Sequence, residues 1–252
     1  MSRFKSTDGI DIYYRQWGAK LPGPPVILQH GYVANTRLNW VVPGIVRSLR
    51  RAGRRVIALD ARGHGRSGKP HDAAFYGEAR MALDVRALLD ELELDEADLV
   101  GYSMGATVAL LTAAQEPRIR RLVVGGVGSS TLNLGGPTNA RTRKALAAAM
   151  LTRRRSSIRH PVLVGFRLFA DVVWADRKAL AAQALAFHRK RIPLERITAG
   201  TLVLAGRNDT FALSPDRLQA AIPGADLVVT SGNHSTALWK PAFHSAIVDF
   251  LR

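Results

Sequence analysis

Apolar residues along the chain follow two rhythms. Short unbroken runs recur at 25–29, 55–60, 97–101, 121–125, 201–206 and 225–230. Runs without alternation are what strands covered on both faces require. Residues 9–15 differ, since their spacing is close to period two behind the turn dipeptide Asp8-Gly9. They predict part of an N-terminal hairpin. Helical spacing separates the runs, at 38–51, 78–92, 105–115, 215–222 and 236–251. The third of these stops before Pro117, and Ser214-Pro215 reads as an N-cap and first position for the fourth. Strand–helix alternation of this kind predicts an α/β fold, a doubly wound and mostly parallel sheet.

The alternation lapses between 129 and 191. No strand signal appears there, and helical spacing returns at 139–153, 161–174 and 176–190. So long a stretch is not a simple connection. It reads as a helical cap over one edge of the sheet, with turns at Gly128-Ser129-Ser130 and Gly135-Gly136-Pro137 before it and Ile192-Pro193 after it. The expected organisation is a core domain of residues 1–128 and 192–252 and a cap of 129–191.

Composition narrows the function classes. The 252 residues are 47% hydrophobic and 22% charged, as in ordinary globular chains. Without Cys, disulfides, thiolate metal sites and a Cys nucleophile are excluded. No apolar leader and no membrane-spanning run is visible, so the expected location is cytoplasmic. The net charge of +16 is unusual, and 129–191 holds thirteen basic residues against two acids. A basic lid concentrates anionic small-molecule substrates. Compositional bias toward Arg is the plainer explanation, and contact with an anionic surface a lesser one. No nucleic-acid motif accompanies the charge, so no nucleic-acid partner is expected.

The chemistry centres on Gly101-Tyr102-Ser103-Met104-Gly105, which follows a predicted strand and opens a predicted helix. That is the context of a nucleophile elbow, where a tight turn lifts the Ser103 hydroxyl clear of the sheet. A serine hydroxyl needs a base, and the base needs an orienting acid. The elbow goes with the chain order nucleophile, acid, base. Of seven His, His234 follows the last predicted strand, on the same rim as Ser103. His244 lies in the last helix, His160 and His188 in the cap, and His30, His64 and His71 precede the serine. Asp209, just past the strand at 201–206, is the matching acid. The Met104 N–H and the Tyr32 N–H, in His30-Gly31-Tyr32, are the expected oxyanion donors. His30 reads as a brace for that loop.

With these residues in hand, the chain resembles the α/β-hydrolase superfamily, in its capped serine-hydrolase branch. Four blocks carry the likeness: His30-Gly31-Tyr32, Asp60-Ala61-Arg62-Gly63-His64-Gly65-Arg66-Ser67, the elbow, and Asp209 with His234. The resemblance implies a structural role for the Asp60 block and a cap that helps choose the substrate. It also separates Ser103, which suits attack on an acyl carbon, from the Asp nucleophile of epoxide hydrolases and haloalkane dehalogenases. The expectation is a carboxylesterase-like serine hydrolase of a small hydrophobic ester or lactone, using Ser103, Asp209 and His234 and no metal or cofactor. Tyr32, Phe166, Phe169 and Trp174 are the expected pocket residues. C–C bond hydrolase and perhydrolase chemistry are alternatives. A catalytically inactive small-molecule receptor of the same fold is the alternative from another class.

Overall fold

In this computed structural model residues 2–133 and 137–252 are described, and the Gly135-Gly136 turn lies outside them. Eight strands form one sheet: β1 (Ser2–Lys5), β2 (Asp11–Trp17), β3 (Val26–Gln29), β4 (Val56–Leu59), β5 (Ala97–Tyr102), β6 (Ile119–Gly125), β7 (Gly200–Gly206) and β8 (Asp226–Thr230). Their order is β1-β2-β4-β3-β5-β6-β7-β8. The β1–β2 hairpin joins antiparallel, through β2 on β4, and every other pairing is parallel.

The unbroken apolar runs have a direct cause. Ile27, Ile57, Leu99 and Val203 point into one core, with α2 (Glu78–Glu91) and α3 (Met104–Ala113). Their neighbours Val26, Val56, Val100 and Leu202 point into a second core, with α1 (Ile45–Arg51) and α8 (Pro241–Phe250). Both faces are covered, so period two becomes invisible in the sequence.

Three expected helices change at their ends. The stretch 38–51 is divided by Gly44 at φ +100, leaving a π-type turn at Arg37–Val41 and then α1. The stretch 236–251 starts late, because Pro241 opens α8 after a separate 3-10 turn at Ala237–Trp239. Ser214 does head α7 (Pro215–Ala220), but at φ 48 its hydroxyl makes no capping bond.

Between β6 and β7 run α4 (Pro137–Leu151), α5 (Pro161–Val172) and α6 (Arg177–Ala186). Hydrogen bonds tie the end of this insertion to the loops beyond β3 and before α2. The Tyr32 hydroxyl donates to the Leu180 carbonyl at 2.8 Å, and the Gly77 N–H to Gln183 Oε1 at 3.2 Å. Arg167 is 4% exposed and donates to the Ala149 and Thr152 carbonyls, so this cation staples α5 to the end of α4 rather than facing solvent. Among the described residues no helix is long and apolar enough to cross a membrane.

The Asp60 block shapes the rim of the sheet. Asp60 accepts from the N–H groups of Thr36 and Arg66, each at 2.8 Å. A side chain at Gly65 would place its Cβ 2.1 Å from Asp60 Oδ2. The Ser67 hydroxyl donates to the Asp60 carbonyl and accepts from the Tyr13 N–H.

Candidate active site

β3, β5, β7 and β8 all end on one edge of the sheet, and the loops after them meet there. That edge is where open α/β sheets hold their ligands. Between β5 and α3, Ser103 adopts φ 57 and ψ −119, a conformation costly for any residue with a Cβ. The glycines around it are obligatory. A Cβ on Gly101 would lie 2.2 Å from the Gly105 carbonyl oxygen, and one on Gly105 would lie 2.1 Å from that of Gln29. Strand, turn and helix pass too closely for either.

Ser103, Asp209 and His234 come together. His234 Nε2 is 3.0 Å from Ser103 Oγ, and Nδ1 is 2.9 and 3.0 Å from the two Asp209 carboxylate oxygens. A carboxylate only accepts, so Nδ1 carries the proton and Nε2 turns its lone pair to the hydroxyl. The Asp209 side chain is fully buried and also accepts from the Phe211 N–H at 2.9 Å. Two residues with no sequence signal of their own hold the imidazole. The Tyr102 hydroxyl donates to the His234 carbonyl at 2.6 Å, and the Phe211 ring centre lies 4.5 Å from that of His234.

The remaining histidines stand apart from this relay. His30 is fully buried, with Nδ1 2.8 Å from the Gly31 carbonyl and Nε2 accepting from the Ala61 N–H. Burial lowers its pKa, so it stays a neutral brace. His64 is pushed down to about 3 by burial and by His30. His244 contacts Ser48 and the Leu238 carbonyl in the fold's outer layer.

A cavity of about 570 Å³ opens on Ser103 and Met104, walled by Tyr32, Leu146, Leu163, Phe166, Phe187 and Phe211. That is an ordinary volume for a small-molecule site. Of the expected pocket residues, Tyr32 and Phe166 line it, and their rings meet edge to face at 5.7 Å. Phe169 and Trp174 do not, which corrects the sequence expectation. α5 turns Leu163, Phe166 and Ala170 inward and leaves Phe169 38% exposed. It ends at Val172, so Trp174, at φ 53, swings out and is 93% exposed. Trp174 lines a different cleft, of about 620 Å³, with Arg15, Arg37 and Lys69.

The cavity also holds a carboxyl that the sequence did not announce. Glu78 is 5% exposed, and burial pushes its pKa up to about 7, against the His188 N–H it accepts and the attraction of Arg143. A carboxyl raised in the folded state binds more protons there than in the unfolded chain. Its contribution is therefore full below about 4.5 and lost as pH climbs through about 7. Glu78→Gln, which still accepts from His188, is expected to melt higher than the wild type at pH 8, by up to about 3 kcal/mol of stability, and near it at pH 5. Calorimetry at the two pH values checks this, and a lower melting temperature for the variant at pH 8 would contradict it.

Comparison with known proteins agrees with this architecture. A family model for the alpha/beta hydrolase fold matches residues 24–131. The sn-1-specific diacylglycerol lipase ABHD11 of Xenopus tropicalis is 38% identical over 115 residues, which is 45% of this chain and 34% of the lipase. A protein named epoxide hydrolase from Caballeronia sordidicola is 33% identical over 174 residues, 68% of this chain and 47% of that protein. The chain thus matches only a third to a half of the length of these curated relatives. The crystal structure of a hydrolase from Pseudomonas aeruginosa PA01 superimposes with a TM-score of 0.81 at 31% identity, covering 99% of this chain and 97% of that one. With sheet order, elbow and whole-chain likeness in agreement, the chain belongs to the α/β-hydrolase superfamily.

Proposed function

We propose that the protein is a serine hydrolase of small carboxylic esters or lactones, working through an acyl-enzyme. The observation that carries this reading is the relay of 3.0 and 2.9 Å from Ser103 through His234 to Asp209, on a strained turn facing an apolar cavity. His234 Nε2 takes the proton of Ser103 Oγ as that oxygen attacks the acyl carbon. Asp209 holds the resulting imidazolium. Collapse of the tetrahedral intermediate hands the proton to the leaving oxygen. Water, deprotonated by His234, then releases the acid and frees Ser103.

The oxyanion would rest on the Tyr32 and Met104 amides. Neither N–H donates to another group among the described residues. The loop of Tyr32 is pressed against the serine, because a Cβ on Gly31 would lie 3.2 Å from Ser103 Cβ. Such donors each lower a barrier by about 3–4 kcal/mol. The likeness to the Xenopus tropicalis diacylglycerol lipase supports an ester as the target. The relative named epoxide hydrolase points to epoxides, but a hydroxyl at 103 favours acyl transfer to a water over the alkyl ester that an Asp nucleophile forms.

A fluorophosphonate probe is expected to label the folded protein at Ser103 alone, as read by peptide mass spectrometry. A panel of acyl esters, lactones, thioesters and vinylogous diketones then ranks the bonds cleaved. Absence of labelling would sink the reading and favour a binding protein of the same fold.

A further inference from the structure

The cavity at Ser103 is not apolar throughout. Arg143, on α4, lines it while only 8% exposed, and its Nη1 is buried without a hydrogen-bond partner. The Nε2 of His188, in the same lining, is buried and unpartnered too. A guanidinium keeps its charge at any physiological pH, so an unpaired one in an apolar cavity carries a desolvation cost that a bound anion would repay. The acid in the same lining does not repay it. Glu78 forms no ion pair with Arg143 within 4.0 Å among the described residues, and its Oε2 already accepts from the His188 N–H. Arg141 lies on a more exposed part of the same lining and adds a second fixed positive charge.

Resting on the hydrolase reading above, we propose that Arg143, assisted by His188, binds a free carboxylate of the substrate. The preferred substrates are then half-esters of aliphatic dicarboxylic acids, or lactones bearing a carboxylate. The apolar wall of Tyr32, Leu146, Phe166 and Phe187 receives the methylene chain between the reacting carbonyl and the charged end. Arg143 is the one guanidinium buried in this lining, Arg141 being exposed, and with the Glu78 carboxyl beside it the buried part of the cavity suits a monoanionic carboxylate better than a dianionic phosphate. An Arg fork also matches the two oxygens of a carboxylate.

The test separates binding from turnover. Calorimetric titration of the Ser103→Ala protein is expected to show monomethyl adipate binding at least tenfold more tightly than its uncharged partner, dimethyl adipate. Adding Arg143→Gln should remove that difference, and Arg143→Lys should restore part of it. In the active protein, kcat/KM for mono-p-nitrophenyl adipate should exceed that for p-nitrophenyl hexanoate at least tenfold, a ratio that falls in Arg143→Gln. Equal binding of the two methyl esters overturns the inference, and so does a ratio unmoved by Arg143→Gln. If Arg143→Gln fails to fold, the two esters on Ser103→Ala decide alone. A retained binding preference with neither nitrophenyl ester cleaved keeps the carboxylate site and rejects the hydrolase reading instead.

Discussion

Replacing Ser103 by glycine is expected to abolish ester turnover and, at the same time, to make the protein more stable. Among the described residues the hydroxyl is the only nucleophile aligned with His234 Nε2, so its loss removes the acyl-enzyme route. Reductions on the order of 10⁶-fold are typical when a serine of such a relay is removed. The stability gain has a separate origin. At φ 57 and ψ −119 a residue with a Cβ carries strain of about 1–3 kcal/mol, whereas glycine adopts that conformation freely. Glycine returns about 0.4–1 kcal/mol through the greater freedom of the unfolded chain. The net is a gain of up to about 2.6 kcal/mol, and for a chain of this size about 2–4 °C in melting temperature per kcal/mol. Ser103→Ala is the control, since it removes the hydroxyl and keeps the strain. It should be equally inactive and melt below the glycine variant. Turnover within tenfold of wild type in either variant would remove Ser103 from the mechanism. Identical melting temperatures for the two would mean that the turn stores no strain.

What the sequence revealed and what it hid divide along a physical line. The apolar runs that become β3 to β8 are legible because burial on both faces leaves no place for polar residues. Gly101 and Gly105 are legible because backbone crowding permits nothing larger at either position. Ser103, Asp209 and His234 could be picked out because each follows a strand of a parallel sheet, and parallel strands deliver their ends to one edge. Residues whose placement depends on how separate elements pack were hidden. Phe211 reaches His234 only through the folded loop after β7. Glu78, Arg143 and His188 come from α2, from α4 and from the segment beyond α6, and no spacing along the chain relates them. Trp174 misled for the complementary reason. Helical spacing and apolar composition over 161–174 suggested a segment that brings Phe166, Phe169 and Trp174 to one pocket. Yet α5 ends at Val172, and the N–H of Ala175 closes back on the Ala170 carbonyl, leaving the indole in solvent. The charge count of 129–191 could not say which cations are buried: Arg167 joins α5 to the end of α4, and Arg143 lies in the cavity lining.

Arg62 shows how much stability rests on one residue of the rim block, and Arg62→Leu is expected to cost about 3–5 kcal/mol. Its side chain is 1% exposed, and its guanidinium joins three separate parts of the chain. It donates to both Asp84 oxygens on α2, at 2.8 and 2.6 Å. It reaches the Asp8 carboxylate in the hairpin turn at 2.6 and 3.0 Å, and the Phe75 carbonyl at 2.6 Å. The Ser6 hydroxyl donates to Asp84 from a fourth side. Burial already raises the Asp84 pKa against the pull of Arg62. Leucine would fill most of the volume and leave a buried carboxylate with only Ser6 to stabilise it. The loss comes from that abandoned charge more than from the vanished pair. Chemical denaturation should therefore show a large fall for Arg62→Leu at pH 8 and a smaller one at pH 5. The sign follows from linkage: without Arg62 the Asp84 pKa rises further, so the folded variant gains stability as pH falls and the carboxyl takes up its proton. Replacing Asp84 as well, as Arg62→Leu with Asp84→Leu, should recover part of the loss, which a double-mutant cycle measures directly. A cost below about 1 kcal/mol for the single variant, with no dependence on pH, would show that the network contributes no more than an exposed ion pair.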